Sequence, residues 1–151
     1  MKNNIFPQTT KKSAMHTCNK VNQYIRNKTV CCLDKYLNSN EVLLSERIGK
    51  LDFEWDTERV LETNAASIIL LCSILGFRKK EENYFVLSGI VGFFLLMHAI
   101  QGWCPPLPII RKMGVRTAEE IFQEKISLKQ IRGDFSDNVN EVEKLLENAE
   151  K

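Results

Sequence analysis

Two long apolar stretches, separated by a short polar one, dominate the pattern along the chain. The stretch from Tyr84 to Trp103 has no formal charge, and ten of its residues are Leu, Ile, Val or Phe. At about −0.3 to −0.6 kcal/mol for each of these, insertion into a bilayer is favourable by roughly 3–6 kcal/mol before its polar residues are counted. Tyr84 and Trp103 stand at the edges, where interfacial aromatic residues are enriched. The pattern predicts a transmembrane helix over about 84–103.

The first apolar stretch is shorter, because only Ala65 to Phe77 is free of charge. Extending it back to Val60 gives a helix of roughly 27 Å, which is long enough to span if Glu62 lies at the interface. The polar linker 78–83 is too short for anything except antiparallel neighbours. The sequence therefore predicts a transmembrane hairpin domain over 57–117, with spans at about 60–77 and 84–103.

The flanks show helical periodicity. Apolar residues recur every three or four positions in two segments before the hairpin (Val21, Ile25, Leu33, Tyr36; Leu44, Ile48, Leu51, Trp55). After it, Thr117 and Glu120 form a capping box for a helix that ends at Gly133, and a last helix is predicted near Asp137 to Ala149. We expect a disordered basic tail over 1–16, and helical cytoplasmic regions over 17–56 and 118–151. The predicted fold is all-α, a two-helix transmembrane hairpin with amphipathic helices on both flanks.

The distribution of basic residues sets the expected orientation. Six Lys or Arg lie within about 20 residues of the outer ends of the spans, against three in the loop. Both termini are therefore predicted to be cytoplasmic. A net charge of +2 gives no reason to expect nucleic acid as a partner. The expected partners are the lipid bilayer and a second copy of the chain or another membrane protein.

The five cysteines form neither a disulfide framework nor a recognisable metal motif. Two of them, Cys31 and Cys32, are adjacent, which is too tight for tetrahedral chelation without other ligands. Cys104-Pro105 matches a two-residue pattern of some haem-sensing sites, although Pro105 already has a structural role in ending the helix. We predict no metal and no cofactor.

The segments Trp55 to Glu62 and Gln101 to Pro108 carry a family resemblance. Together with Gly114-Val115-Arg116-Thr117, they resemble the YgaP-like bacterial inner-membrane transmembrane domain family over about residues 55–117. The resemblance implies a hairpin in the bacterial inner membrane. The namesake joins such a hairpin to a rhodanese sulfurtransferase, but Cys31 to Lys35 lacks the glycines and the arginine of that enzyme's loop. The sulfurtransferase activity therefore does not carry over.

Antiparallel pairing brings several polar residues to one depth, near the inner interface. If Phe77 and Tyr84 face each other, paired residues have numbers that sum to about 161. The residues gathered at the other end form a candidate polar cluster: Arg59, Glu62, Asn64, His98, Gln101 and Cys104. Polar groups there need partners, so hydrogen bonding between the helices is one interpretation. The other is a proton, metal or small-ligand site that uses Glu62, His98 and Cys104.

Small residues at Ser88, Gly89 and Gly92 predict a helix-packing face. This face allows either close packing of the two helices within the hairpin or self-association of the chain. The leading hypothesis is a membrane-anchored scaffold or assembly component without catalytic machinery. The alternatives are a small redox or ligand-handling membrane protein built on the polar cluster, and a soluble helical bundle.

Overall fold

The computed structural model describes residues 7–135, and over that range the regular secondary structure is helical. The predicted all-α class is therefore confirmed for the described residues, while the helix predicted near Asp137 to Ala149 lies outside them. The helices are α1 (Lys12–Met15), α2 (Asn19–Tyr36), α3 (Glu41–Asp52), α4 (Thr57–Lys79), α5 (Glu82–Gln101), α6 (Leu107–Lys112) and α7 (Ala118–Arg132).

Helices α4 and α5 pack side by side as the expected hairpin. Helix α4 begins at an N-cap, where the Asp56 carboxylate accepts a hydrogen bond of 2.8 Å from the backbone N–H of Arg59. The residue after its last turn, the C-cap Lys80, has a left-handed φ of 53°, and the chain reverses within two residues. The polar linker is thus shorter than predicted, because helix continues through Lys79 and resumes at Glu82.

The two helices approach each other closely at Gly76. A Cβ added there would meet the Phe85 ring at 2.9 Å. The numbers 76 and 85 sum to 161, so the predicted register is confirmed at this end. The predicted close packing within the hairpin is not met at Gly89 and Gly92, because a Cβ at either position would have nothing within 4 Å, while for Ser88 it stays a prediction. Their alternative role, self-association, stays a prediction.

Two helical stretches are long and apolar enough to cross a membrane by length and composition. The first is Glu41–Lys79 and the second is α5. Of the most apolar 18 residues in each stretch, only 17% in the first and 6% in the second are buried. Large side chains lie open along both, among them Leu70, Leu71, Phe77, Val86 and Phe93. The hairpin thus presents apolar surface that the described residues leave uncovered.

The chain divides into two compact units, the first made of Met1–Ile25 and Trp55–Glu119. Its apolar core joins the start of α4 to the segment after α5, with Leu61, Cys104, Leu107 and Ile110 buried together. The predicted disordered tail over 1–16 is wrong for residues 7–16, because α1 forms there and Ser13 is buried. Hydrogen bonds hold this segment in place, and such contacts leave no hydrophobic period in the sequence.

The second unit is made of Arg26–Glu54 and Glu120–Lys151. Among its described residues, Leu44, Ile48 and Leu51 of α3 pack against Ile121 and Leu128 of α7. An ion pair is buried beside this core, because Arg47 donates to the fully buried Glu124 carboxylate at 2.7 and 2.9 Å. The two flanks, predicted as separate regions over 17–56 and 118–151, therefore share one core.

Candidate functional site

A buried histidine is paired with a carboxylate at the end of the hairpin away from its loop. His98 lies in the last turn of α5 and Glu58 in the first turn of α4, so antiparallel packing brings them together. The distance from His98 Nε2 to Glu58 Oε2 is 2.8 Å. His98 is only 2% exposed. A carboxylate can only accept, so Nε2 carries the proton and donates.

The N-terminal segment completes the surroundings of Glu58. The Ser13 hydroxyl donates to Glu58 Oε1 at 2.8 Å, and Lys12 Nζ lies 3.6 Å from Oε2. Burial alone would raise the pKa of the Glu58 carboxyl, but the hydrogen bonds from His98 and Ser13 and the nearby positive charge outweigh it. The pKa of Glu58 falls to about 2, so the group is a carboxylate at neutral pH.

The other ring nitrogen of His98 faces a different environment. Nδ1 is buried and has no hydrogen-bond partner among the described residues. The Cys104 thiol lies beside the ring and interacts with it. It is also buried, and both residues line one apolar cleft. The imidazole is thus held by the Glu58 carboxylate on one nitrogen and lies beside the Cys104 thiol.

Of the six residues of the predicted polar cluster, only His98 and Cys104 come together in this way. Arg59 lies over the Trp55 ring at 4.5 Å from its centroid. Asn64 donates to the Val60 carbonyl of its own helix at 2.7 Å. Asn64 also borders the cleft. Glu62 and Gln101 are exposed. Glu62 lines a separate surface depression beside Glu58, so it does not take the predicted place next to His98.

Sequence reasoning missed Glu58, although a signal for it existed. The buried stripe of α4 passes through Thr57, Leu61, Cys72 and Gly76. At 100° of rotation per residue, Glu58 lies nearer to this stripe than Glu62 does. The assumption that paired residues lie at equal depth favoured Glu62, which lies one turn further along α4 than Glu58 does.

A second buried polar cluster anchors the same end of unit 1. The Arg111 guanidinium, which is fully buried, donates to Asn22 Oδ1 at 2.9 Å, to the Val115 carbonyl at 2.9 Å and to Thr17 Oγ1 at 3.3 Å. Asn22 in turn donates to the Ala14 carbonyl at 2.9 Å. Because these bonds fix α1 and the start of α2 against α6, they hold Lys12 and Ser13 in place beside Glu58.

The described residues contain no group of three or more His, Cys, Asp or Glu side chains that could hold a metal ion. What the arrangement offers is an oriented imidazole at the end of an apolar cleft, which suits hydrogen bonding to a ligand. No family model, curated protein or solved structure matches the chain. The resemblance to the YgaP-like family stays a prediction.

Proposed function

We propose that the chain is a small integral membrane protein in which the α4–α5 hairpin anchors a helical scaffold or assembly component. The observation that carries this proposal is the open apolar surface of the hairpin. The core helix of a soluble protein is mostly buried, whereas α5 leaves nearly all of its most apolar window uncovered. Since burying one large apolar side chain is worth about 1.5–3 kcal/mol, a surface of this kind favours a bilayer over water.

The scaffold role is supported by apolar side chains outside the hairpin. In unit 2, Phe53 is 82% exposed and Val42 is 73% exposed, and Phe122 is exposed as well. We propose these side chains as contacts with another protein or with a second copy. Membership of the YgaP-like family, the bacterial inner membrane as location and cytoplasmic termini belong to the same proposal.

Extraction and labelling test the anchor. We expect the full chain to stay in the membrane fraction in alkaline carbonate. A cysteine introduced as Asn83→Cys, next to the loop, should react with a membrane-impermeant maleimide on intact cells. The unmodified chain is the control, because its exposed Cys18 and Cys31 lie on the flanks and should react only after permeabilisation. Release by carbonate, or equal labelling of both proteins, would contradict the anchor.

Crosslinking in membranes tests the scaffold role. We expect Phe53→Ser to reduce crosslinking to a partner or to a second copy, without lowering the protein level. Asn38→Ser is the matched control, since Asn38 is an exposed polar residue of the same unit. Recovery of the uncrosslinked monomer from the original chain would contradict a scaffold.

The Glu58–His98 contact favours a second function, a small ligand-handling site. Here Glu58 takes the place that was predicted for Glu62. Variants at His98 should then change ligand binding, whereas the scaffold role alone predicts only a change in stability.

A further inference from the structure

An apolar cleft opens beside the buried His98 ring. Its volume is about 480 Å³, within the range of 300–1,000 Å³ that is typical of small-molecule sites. Leu61 and Ile68 of α4 and Phe94 of α5 form walls, and His98 and Cys104 lie at one end. The walls belong to the hairpin, whereas Cys104 follows the last turn of α5. A ligand that fits this cleft is apolar along its length and has its polar or reactive group at the end of the hairpin.

The Glu58 carboxylate determines the charge of the His98 ring. Glu58 is ionised at neutral pH, and its Oε2 lies 2.8 Å from Nε2. A negative charge at this distance favours the protonated ring, in which Nδ1 also carries a proton. That proton is buried, and the Cys104 sulfur beside the ring accepts only weakly while it is a thiol. A buried donor without a strong acceptor is costly, so the ring favours Cys104 as a thiolate, the nucleophilic form.

Nucleophile, imidazole and carboxylate thus follow one another in space. Cys104 supplies the sulfur, His98 holds a proton beside it, and Glu58 orients the ring and balances its charge. Sites that transfer acyl groups through a cysteine or a serine use the same order of groups. A long-chain acyl thioester has the two parts that this arrangement requires, an apolar chain for the cleft and a reactive carbonyl for the sulfur.

We infer that Cys104 accepts a long-chain acyl group from an acyl thioester and holds it as S-acyl-cysteine, with the acyl chain in the cleft between α4 and α5. The Cys104 sulfur attacks the carbonyl carbon and forms the new C–S bond. The C–S bond to the carrier breaks, and the carrier sulfur leaves with the bonding electron pair and takes the proton from His98 Nδ1. The hydrophilic carrier stays in water beyond the end of α5. This site rests on the proposed insertion of the hairpin, which places the cleft in hydrocarbon.

Site-resolved mass spectrometry measures the transfer. The full chain in lipid nanodiscs is incubated with palmitoyl-coenzyme A and then digested with trypsin. The digest places Cys104 in the fragment 81–111 and the exposed Cys18 in the fragment 13–20, each without another cysteine. We expect Cys104 to be acylated about tenfold or more faster than Cys18, although Cys104 is buried. Equal rates at the two cysteines would overturn the proposal.

Replacing His98 tests the chemistry. His98→Gln keeps an amide N–H that can donate to Glu58 but removes the ring proton and its charge, so acylation of Cys104 should fall about a hundredfold. Gln101→Ala is the matched control, because Gln101 is exposed in the last turn of the same helix, and its rate should equal that of the original chain. An unchanged rate in His98→Gln would overturn the proposal.

The length of the acyl chain tests the cleft and separates it from a folding defect. Acetyl-coenzyme A has the same leaving group without the chain, so it should acylate Cys104 about tenfold or more slowly than palmitoyl-coenzyme A does. Ala65→Phe, which fills the cleft from α4, should bring the two rates close together. A folding defect would lower both rates and keep their ratio. A ratio that Ala65→Phe leaves unchanged would overturn the proposal.

Histidine ¹⁵N NMR of the original chain tests the charge of the ring without any substitution. At pH 7 both ring nitrogens of His98 should carry a proton, and acylation of Cys104 should shift the His98 resonances while those of the exposed His16 stay unchanged. A His98 ring without a proton on Nδ1 would overturn the proposal. A chain that resists carbonate but acylates Cys104 no faster than Cys18 would overturn the site alone, whereas release by carbonate would overturn the anchor.

Discussion

Replacing Glu58 with glutamine removes a charge while keeping the shape of the side chain. The amide oxygen can still accept from His98 Nε2, so the change tests the carboxylate and not the packing. The pKa of Glu58 falls from its ordinary value of 4.5 to about 2. At 1.36 kcal/mol per pKa unit, this is at most about 3.4 kcal/mol of stabilisation. The Glu58 side chain is 29% exposed, so solvent screening reduces the expected loss to about 1–2 kcal/mol.

The pH dependence of this loss has a definite sign. The pKa of Glu58 is lower in the folded chain than in the unfolded one, so ionisation of the carboxyl favours folding. Its contribution is complete above about pH 4.5 and is lost as the pH falls towards 2. The difference in stability between the original chain and Glu58→Gln should therefore shrink as the pH falls below about 4.5. His98 and Lys12 are the ionisable groups that face the carboxylate.

Thermal unfolding in detergent micelles, followed by circular dichroism from pH 7 to pH 3, measures this difference. Glu62→Gln is the matched control, since Glu62 lies one turn further along α4 and is exposed. It should leave stability within about 0.5 kcal/mol of the original. Equal effects of the two substitutions at pH 7, or a Glu58→Gln deficit that grows as the pH falls below 4.5, would refute the reasoning.

Two further substitutions test the packing. Gly102→Ala should lower the free energy of unfolding by about 2 kcal/mol or more, because Gly102 has a φ of 82° and a Cβ there would lie 2.6 Å from the Lys12 backbone. Gly89→Ala, in open space within a helix, should be neutral or slightly stabilising in the same thermal assay. Glu124→Ala should cost unit 2 about 3 kcal/mol by leaving Arg47 without its buried carboxylate, and urea unfolding of the full chain measures this. Similar midpoints for Gly102→Ala and Gly89→Ala, or an unchanged urea midpoint for Glu124→Ala, would contradict these assignments.

The parts of the fold that depend on neighbours in sequence could be predicted. Asn40 caps α3 by accepting from the Leu43 N–H, Asp56 caps α4, and Gly133 follows the end of α7 with a φ of 93°. Each signal is local, because a cap or a left-handed glycine acts within one turn. The register of the hairpin also followed from the sequence, since a short linker fixes it.

What could not be predicted depends on contacts that are distant in sequence. The place of Ser13 beside Glu58 is set by single hydrogen bonds between polar residues, which leave no periodic signal. The joining of α3 and α7 into one core needs partners on opposite sides of the hairpin in sequence, and two similar amphipathic helices do not specify which surface each will cover. Glu58 was missed for a different reason, because the assumption of equal depth outweighed its place beside the buried stripe of α4.

The shared core of α3 and α7 limits the topologies that the chain can adopt. Leu44, Ile48 and Leu51 precede the hairpin, while Ile121 and Leu128 follow it, and these side chains bury one another. In the proposed topology the hairpin crosses the bilayer twice, so the two sets of side chains lie on the same side of it and can meet. Glu54 and Glu120 are 66 positions apart, so at 5–20 residues per second α3 waits about 3–13 s for its partner during synthesis. Until α7 is made, Leu44, Ile48 and Leu51 lack Ile121 and Leu128 as packing partners.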